Sequence, residues 1–155
     1  MKTKTEIMEI THEDLVNLFS TATYGSCWLD ASVSDDDRLD LDINDEDCRE
    51  DVWAKAILSG KKVSFVDLDA EETSYGSLEN HVDEQTGIVE YRVGLEDIKR
   101  GLCSAADGDF RGDDDEKSHV RSCFAAFVAE DQLEFDIVCA ESLMQIILFG
   151  EIIYG

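Results

Sequence analysis

The acidic residues of this chain are gathered into clusters that alternate with ordinary core-forming sequence. Its 155 residues include 37 Asp or Glu and 13 Lys or Arg, which gives a formal charge of −24. Eleven of the carboxylates fall in the stretch from Asp30 to Asp51, where only Arg38 and Arg49 offset them. Like charges this close repel one another, and solubility alone does not require so many. We therefore expect the clusters to lie on the surface and a binding partner to use their field.

The remainder of the sequence has the composition of a folded domain. Hydrophobic residues make up 43% of the chain, and two Trp and seven Phe supply side chains that disordered acidic tails lack. A chain of this length can bury roughly two thirds of its unfolded surface. The sequence contains no proline, and no repeat or low-complexity tract divides it. We predict a single acidic domain spanning residues 1–155.

Apolar periodicity and capping residues predict five helices and four strands. The predicted helices run from Thr11 until Gly25, from Asp47 as a cap until Gly60, from Leu95 to Cys103, from His119 to Ala129, and from Ile137 to Phe149 with Asp136 as N-cap. The predicted strands are Cys27–Val33, Arg38–Ile43, Lys61–Leu68 and Gly87–Val93, with acidic connections at Glu71–Glu84 and Asp107–Glu116. This order predicts an α+β domain with a mostly antiparallel sheet of three to four strands and helices packed on one side.

The segment from Arg38 to Ile43 alternates strictly between charged and apolar residues, which is typical of a strand. Side chains on one face of a strand are about 6.6–6.8 Å apart, so Asp40 and Asp42 would present charge at intervals close to those of phosphates along a nucleic-acid strand. Such a surface could occupy a groove of Lys and Arg that normally holds nucleic acid. The candidate partner-binding residues are Asp35, Asp36, Asp37, Asp40, Asp42, Asp45, Glu46, Asp47, Asp113, Asp114, Asp115 and Glu116.

The predicted partner is the basic groove of a nucleic-acid-binding protein. Direct binding to nucleic acid or to an anionic membrane is not expected, because phosphate would be repelled by a chain of this charge. A solvated acidic surface without a partner is the simpler interpretation of any single charge run, and it remains open.

A calcium site is a further interpretation of the same residues. Asp40, Asp42 and Asn44 match the first three ligand positions of an EF-hand loop, with Asp51 at the twelfth. Asp45 stands where that loop needs Gly, and Asp51 is shorter than the usual bidentate Glu. We therefore predict no metal or cofactor site, and keep a Ca²⁺-binding or acidic protein-interaction module as the alternative function.

No residue pattern predicts an enzyme. His12, His81 and His119 have no nucleophile or ligand partner nearby in sequence, and we expect each of them on the surface. Glycine-rich phosphate loops and the Gly-x-Ser-x-Gly nucleophile motif are absent from the sequence. Reduced and mostly buried thiols are expected for the five widely spaced cysteines, Cys27, Cys48, Cys103, Cys123 and Cys139. No apolar stretch has the length of a signal peptide or a membrane span, so we expect a cytoplasmic protein.

Several segments together resemble a family of small acidic proteins encoded by phages and prophages of gut Firmicutes. The resemblance spans most of the chain and rests on Ile10–Leu15, Thr21–Gly25, Trp28, Ser59–Phe65, Leu95–Leu102 and Ile147–Gly155. These motifs are structural, so the resemblance transfers no catalytic residue. The acidic segments Ser34–Asp47 and Asp107–Glu116 depart from the family pattern because they look expanded.

This resemblance implies an anti-defence role in the cytoplasm of the host cell. By analogy with small acidic phage inhibitors, it implies a DNA mimic of anti-CRISPR character that acts through protein–protein interaction. A CRISPR effector is the first expected partner and a restriction enzyme the next.

Overall fold

The computed structural model describes residues 9–24, 28–44, 46–69, 80–82, 85–86, 88–130 and 134–154 of the chain. These residues form six helices and one four-stranded antiparallel sheet, which confirms the predicted α+β class. The helices are α1 (His12–Tyr24), α2 (Asp35–Asp40), α3 (Arg49–Leu58), α4 (Leu95–Asp107), α5 (Asp114–Val128) and α6 (Ile137–Phe149). The strands are β1 (Leu29–Ser32), β2 (Val63–Asp67), β3 (Asn80–Val82) and β4 (Val89–Val93). None of these described helices combines the length and the apolar character that crossing a bilayer requires.

The sheet has the strand order β1-β2-β4-β3, and every neighbouring pair is antiparallel. Side chains alternate between its two faces, and one face carries the core. Phe65 and Tyr91 lie opposite each other on β2 and β4 and are fully buried. The Phe65 ring contacts Phe19 of α1 (5.4 Å between centroids) and Trp53 of α3 (5.8 Å), and the Tyr91 ring contacts Phe149 of α6 (5.5 Å). Helices α1, α3 and α6 therefore cover the same face of the sheet, as predicted.

Helix α6 is the centre of the helical layer. Every residue from Leu143 to Phe149 is buried, and the helix packs against α1, α4 and α5. Asp136 caps its first turn by accepting a hydrogen bond from the Cys139 amide (2.9 Å), and Gly150 ends it with φ 73°. Where α4 meets α6, a Cβ added at Gly101 would lie 2.7 Å from the Ile147 Cα. Only glycine therefore allows the two helices to approach this closely.

The start of α1 also confirms the sequence-based prediction. The Thr11 hydroxyl accepts a hydrogen bond from the Asp14 amide (3.1 Å), and the Asp14 carboxylate accepts one from the Thr11 amide (3.0 Å). This reciprocal pair is a capping box. Leu15, Leu18 and Phe19, which follow at helical spacing, are buried in the core.

The residues that follow α6 are held back against the core by two buried polar side chains. Gln145 is 2% exposed, and its Oε1 accepts hydrogen bonds from the Ile153 and Tyr154 amides at 2.7 Å each. The Tyr154 hydroxyl donates to the carboxylate of Asp67 at the end of β2, with distances of 2.9 and 2.8 Å to its two oxygens. Asp67 is 1% exposed, so this contact satisfies a carboxylate that has left water.

The predicted strand from Arg38 to Ile43 is wrong. Ser34 begins helix α2 instead, because its hydroxyl accepts a hydrogen bond from the Asp37 amide (3.3 Å) and the first turn holds three aspartates, which the helix dipole favours. An alternation of six residues is too short to outweigh this helix-start signal. Asp40 and Asp42 therefore do not stand on one face of a strand, and the phosphate-spacing argument built on them fails.

Helix α3 starts without the predicted cap. Cys48 occupies the N-cap position, and the Asp47 carboxylate instead accepts a hydrogen bond from the Asn44 amide (3.1 Å). The buried side of α3 is the predicted one, with Val52 and Trp53 in the core.

The second acidic segment, Asp107–Glu116, is only partly a loop. Asp107 ends α4, and α5 begins at Asp114, five residues before the predicted start at His119. Val128, whose spacing from Val120 and Phe124 favours the packed face of α5, is instead 61% exposed. It lies about 100° around the helix from its buried neighbour at position 127.

Strand β3 arises inside the predicted Glu71–Glu84 connection. Its three residues pair with β4, and Asn80 and His81 are exposed, so the segment carries no apolar alternation that would mark a strand. The rest of that connection, residues 71–79 and 83–84, lies outside the described residues.

The cysteines meet the expectation in part. Cys103 and Cys123 are buried free thiols, Cys139 is half-buried, and Cys48 is exposed. Cys27 lies outside the described residues.

Candidate acidic interface

The short helix α2 carries its acidic residues on a segment that contributes nothing to the core. None of its six residues, all of them described, is buried. Asp35 and Asp36 are exposed, and Asp37 is half-buried. The Ser34 cap and the helix dipole stabilise this charged first turn locally. Helix α2 therefore presents carboxylates to solvent without a packing role.

Asp42 ends the α2 segment in a left-handed backbone conformation with φ 55°. The Ile43 amide donates to the Arg38 carbonyl oxygen (3.0 Å), and the Asp42 amide donates to the Leu39 carbonyl oxygen (3.2 Å). This pair of bonds is a Schellman motif, in which glycine usually occupies the left-handed position. Asp42 is thus an exposed residue in a left-handed conformation, in which a side chain strains the backbone.

Asn44 organises the turn that leads to α3. Its side-chain oxygen accepts a hydrogen bond from the Glu46 amide (2.9 Å), and its own amide donates to the Asp47 carboxylate (3.1 Å). Glu46 and Asp47 are exposed at this turn, whereas Asp45 lies outside the described residues.

Lys61 neutralises one side of α2. Its Nζ lies 2.9 Å from Asp40 Oδ2 and 3.6 Å from Asp37 Oδ1. The hydrogen bond and charge of Asp40, followed by those of Asp37, raise the pKa of Lys61 above its ordinary value. Asp37 and Asp40 are therefore brought together on one cation.

Arg49 and His12 hold carboxylates near the start of α3. Arg49 lies 3.5 Å from Asp30 and 2.9 Å from Glu50, and His12 Nε2 lies 2.9 Å from Asp51 Oδ1. These side chains are largely exposed, so each pair contributes no more than about 1 kcal/mol. Beside them is a cleft of about 140 Å³, lined by His12, Ile43, Asp47, Asp51, Val52 and Lys55. It is smaller than the roughly 300–1,000 Å³ of typical small-molecule sites.

Within the described residues, four exposed carboxylates of this segment form neither an ion pair nor a side-chain hydrogen bond, unlike Asp47: Asp35, Asp36, Asp42 and Glu46. Leu39 lies on α2 among them and is 81% exposed. We call these five residues the α2 surface. It combines carboxylates that form no ion pair with a described residue and an apolar side chain that is largely exposed.

The second predicted cluster forms the start of α5. Asp113 Oδ1 accepts a hydrogen bond from the Glu116 amide (2.8 Å), and Glu116 Oε1 accepts one from the Asp113 amide (3.2 Å). This capping box gives Asp113 and Glu116 a structural role. Asp114 and Asp115 are exposed, and neither forms an ion pair with another described residue. These two carboxylates supply the free charge of this cluster.

Helix starts account for much of the acid clustering. Each of the helices α1 to α5 carries two or three acidic residues in its first turn. Negative charge there interacts favourably with the helix dipole, by about 0.3–1 kcal/mol for each residue. The signal is visible in the sequence, because Ser34 and Asp113 are good N-cap residues that immediately precede acidic triplets. The predictions of a strand at Arg38–Ile43 and of an acidic connection at Asp107–Glu116 overlooked it.

The described residues do not assemble a calcium site. Among them, no group of three or more His, Cys, Asp or Glu side chains could hold a metal ion. Asp40 contacts Lys61 and Asp51 contacts His12, so the first and last positions of the EF-hand-like sequence are directed to different side chains.

His119 is the histidine whose surroundings differ from expectation. It is exposed as predicted, but its Nε2 lies 3.2 Å from Ser142 Oγ and 3.5 Å from Cys123 Sγ. Cys123 is fully buried, and burial raises the pKa of its thiol, so this pair does not form an activated thiolate. His12 and His81 are exposed, as expected.

Comparisons with known proteins indicate no function for this chain, so the geometry of its surfaces is the basis for inferring one. No protein-family model, curated protein or solved structure matches this chain. Its function is therefore to be inferred from the exposed carboxylates and from Leu39.

Proposed function

We propose that this protein is a non-enzymatic inhibitor that binds the basic groove of a nucleic-acid-binding protein and thereby blocks the binding of DNA or RNA. The α2 surface makes the main contact, and Asp114 and Asp115 form a second acidic contact. The partner supplies Lys and Arg side chains, because exposed carboxylates at this density attract cations and repel phosphate.

The observation that carries this proposal is that α2 is highly charged yet has no fully buried residue. A helix of six residues gains little stability by itself, and most helices depend on packing. Helix α2 lacks a buried residue among its six described ones, while its neighbouring like charges repel. Its end even holds Asp42 in a conformation that suits glycine better. A role in binding a partner explains such a segment better than a role in stabilising the fold.

The proposed mimicry is a match of charge density. A helix of six residues is about 9 Å long. Duplex DNA carries roughly five phosphate charges over the same length. Helix α2 carries four carboxylates, Asp35, Asp36, Asp37 and Asp40, and one cation, Arg38, which gives a formal charge of −3, and two of the carboxylates also contact Lys61. A groove lined with Lys and Arg would therefore meet a charge density on this helix that is lower than that of DNA but of the same order.

Leu39 adds an apolar contact to this charge. The centre of a protein interface is apolar and poor in charged residues, whereas its rim is polar. An exposed leucine among carboxylates has this arrangement. We therefore expect binding to have a salt-sensitive part from the carboxylates and a salt-insensitive part from Leu39.

Within this class, we propose a CRISPR effector as the first partner to test and a restriction enzyme as the second. The support is the resemblance to small acidic proteins of phages and prophages, which also favours an action in the host cytoplasm. The Ca²⁺-binding alternative has less support, because the described residues contain no cluster of His, Cys, Asp or Glu side chains that could hold a metal ion.

The test is displacement of labelled nucleic acid from a panel of purified CRISPR effectors and restriction enzymes. The neutral variant combines Asp35→Asn, Asp36→Asn, Asp42→Asn and Glu46→Gln. Because an exposed charge pair contributes about 0.2–1 kcal/mol, we expect this variant to bind roughly 30-fold more weakly at low salt. The wild-type affinity should also fall as salt rises.

The matched control carries the same change in net charge at exposed carboxylates elsewhere, with Glu13→Gln, Glu96→Gln, Asp109→Asn and Glu130→Gln. It should inhibit nearly as well as the wild type. The proposal is wrong if affinity is indifferent to salt and to the neutral variant, or if both variants weaken binding equally. Calorimetry with Ca²⁺ tests the alternative, and a saturable heat would favour it.

A further inference from the structure

Two cysteines lie where α5 packs against α6. Cys123, on α5, is fully buried, and Cys139, in the first turn of α6, is half-buried. Both are free thiols. Consecutive helices joined by a short connection pack as antiparallel neighbours, so residues further along α5 face residues earlier in α6.

The register between the two helices brings these thiols together. His119 Nε2 on α5 lies 3.2 Å from Ser142 Oγ on α6. Cys123 is one turn further along α5, and Cys139 is one turn back along α6, so they face each other at the next level of the antiparallel pair. The Cys139 thiol is accordingly close enough to the Cys123 thiol to contribute to the rise of its pKa.

The two thiols differ in access. Cys123 is shielded from solvent, and burial, together with the Cys139 thiol and the Asp136 carboxylate, raises its pKa. Cys123 is therefore protonated at neutral pH and is a poor target for an oxidant. Cys139 is half-buried and reaches solvent, and its Sγ lies 3.5 Å from the Glu134 carbonyl oxygen.

We propose that Cys139 and Cys123 form a peroxide-reactive pair, in which peroxide oxidises Cys139 and Cys123 converts the product to a disulfide between α6 and α5. The Cys139 sulfur attacks one oxygen of hydrogen peroxide, the O–O bond breaks, and a sulfenic acid and water form. The Cys123 sulfur then attacks the Cys139 sulfur, the S–O bond breaks, and the hydroxide leaves as water with the Cys123 proton. Two thiols thus lose two hydrogens, and one peroxide becomes two waters.

His119 takes part directly in the second step. Its Nε2 lies 3.5 Å from Cys123 Sγ, so it can take the thiol proton as the new S–S bond forms and return it to the departing hydroxide. The step requires no group that the chain does not hold, apart from the peroxide itself.

The test is mass spectrometry of the full-length protein after treatment with hydrogen peroxide and alkylation of the remaining thiols. No Lys or Arg follows Arg121, so trypsin leaves both cysteines on one peptide. Cleavage after Glu130 and Glu134 separates them. We expect a cross-linked pair of peptides that contain Cys123 and Cys139, with a mass two hydrogens below their sum. Cys48→Ser, at an exposed cysteine, is the control and should keep this disulfide.

Two variants separate the roles of the thiols. In Cys123→Ala, Cys139 should proceed to the sulfinic acid because no resolving thiol is present. In Cys139→Ser, which changes a half-buried position and is the safer variant for folding, Cys123 should stay a free thiol. The proposal is overturned if wild-type Cys139 remains unoxidised, if it becomes a sulfinic acid as readily as in Cys123→Ala, or if Cys123 is oxidised in Cys139→Ser.

Discussion

Replacing Gly101 with alanine should destabilise the fold by about 2 kcal/mol. The added Cβ would lie 2.5 Å from Ile147 Cγ1 and 2.7 Å from Ile147 Cα. The Cγ1 atom can rotate away, but the Cα atom can reach an ordinary carbon contact of about 3.5 Å only if α4 and α6 separate by roughly 0.8 Å. Overpacking of this kind costs about 3 kcal/mol at a rigid site. The better helix propensity of alanine offsets about 1 kcal/mol of this loss, which leaves the net destabilisation of about 2 kcal/mol.

The assay is urea and thermal unfolding followed by the fluorescence of the buried Trp28 and Trp53. For a chain of this size, a loss of 2 kcal/mol lowers Tm by roughly 4–8 °C. Gly112→Ala is the matched control, because its Cβ would meet nothing closer than 3.4 Å, and its Tm should hardly change. An unchanged or higher Tm for Gly101→Ala would refute the close approach of α4 and α6.

Three further changes test the fold with the same unfolding assay. Tyr154→Phe removes the hydroxyl that donates to the buried Asp67 carboxylate, and should cost about 2 kcal/mol; no loss would show that this bond is not stabilising. Asp42→Gly should raise stability by about 0.5 kcal/mol because it relieves left-handed strain, with Asp42→Asn as the control for charge. Burial raises the pKa of Cys123 in the folded state, so the folded state favours the neutral thiol. This contribution to the free energy of unfolding is fully present below the ordinary thiol pKa and is lost as pH rises toward the raised pKa of the folded state. Wild type should therefore lose stability relative to Cys123→Ala above about pH 8.5, and parallel pH profiles would contradict this.

The helices that build the core were predictable because their signals are local and agree with one another. Helix α1 has a capping box at Thr11 and apolar residues at helical spacing behind it. Helix α6 has an N-cap at Asp136, an apolar run and a terminating Gly150. Each boundary is specified by residues within a few positions of it, so no knowledge of the tertiary structure is needed.

The acidic segment was mispredicted because two local signals compete there. The alternation from Arg38 to Ile43 favours a strand, whereas Ser34 and the three aspartates after it favour a helix start. The helix forms where the cap and the dipole act together. Which carboxylates remain free was not predictable, because it depends on Lys61, which only the tertiary fold brings to Asp40.

The contacts between distant residues also lie beyond the sequence patterns. Tyr154 and Asp67 are 87 positions apart, and no periodicity links them. The need for Gly101 arises from Ile147 on another helix, although a glycine within a helix signals a close approach. These contacts follow from how helices pack, which depends on the whole core.

Because none of the residues of α2 is buried, this helix is free to evolve separately from the scaffold, whereas Val33, which is buried, and Leu41 and Ile43, which pack against the core, are not. Substitutions at Asp35, Asp36 or Leu39 remove no buried contact, so they accumulate at little expense to stability, whereas changes in α6 do not. Under the proposed function, a lineage could follow a changing target by altering this one short segment. The same property makes it a suitable site for randomised libraries, since variants would differ in binding while keeping a common fold.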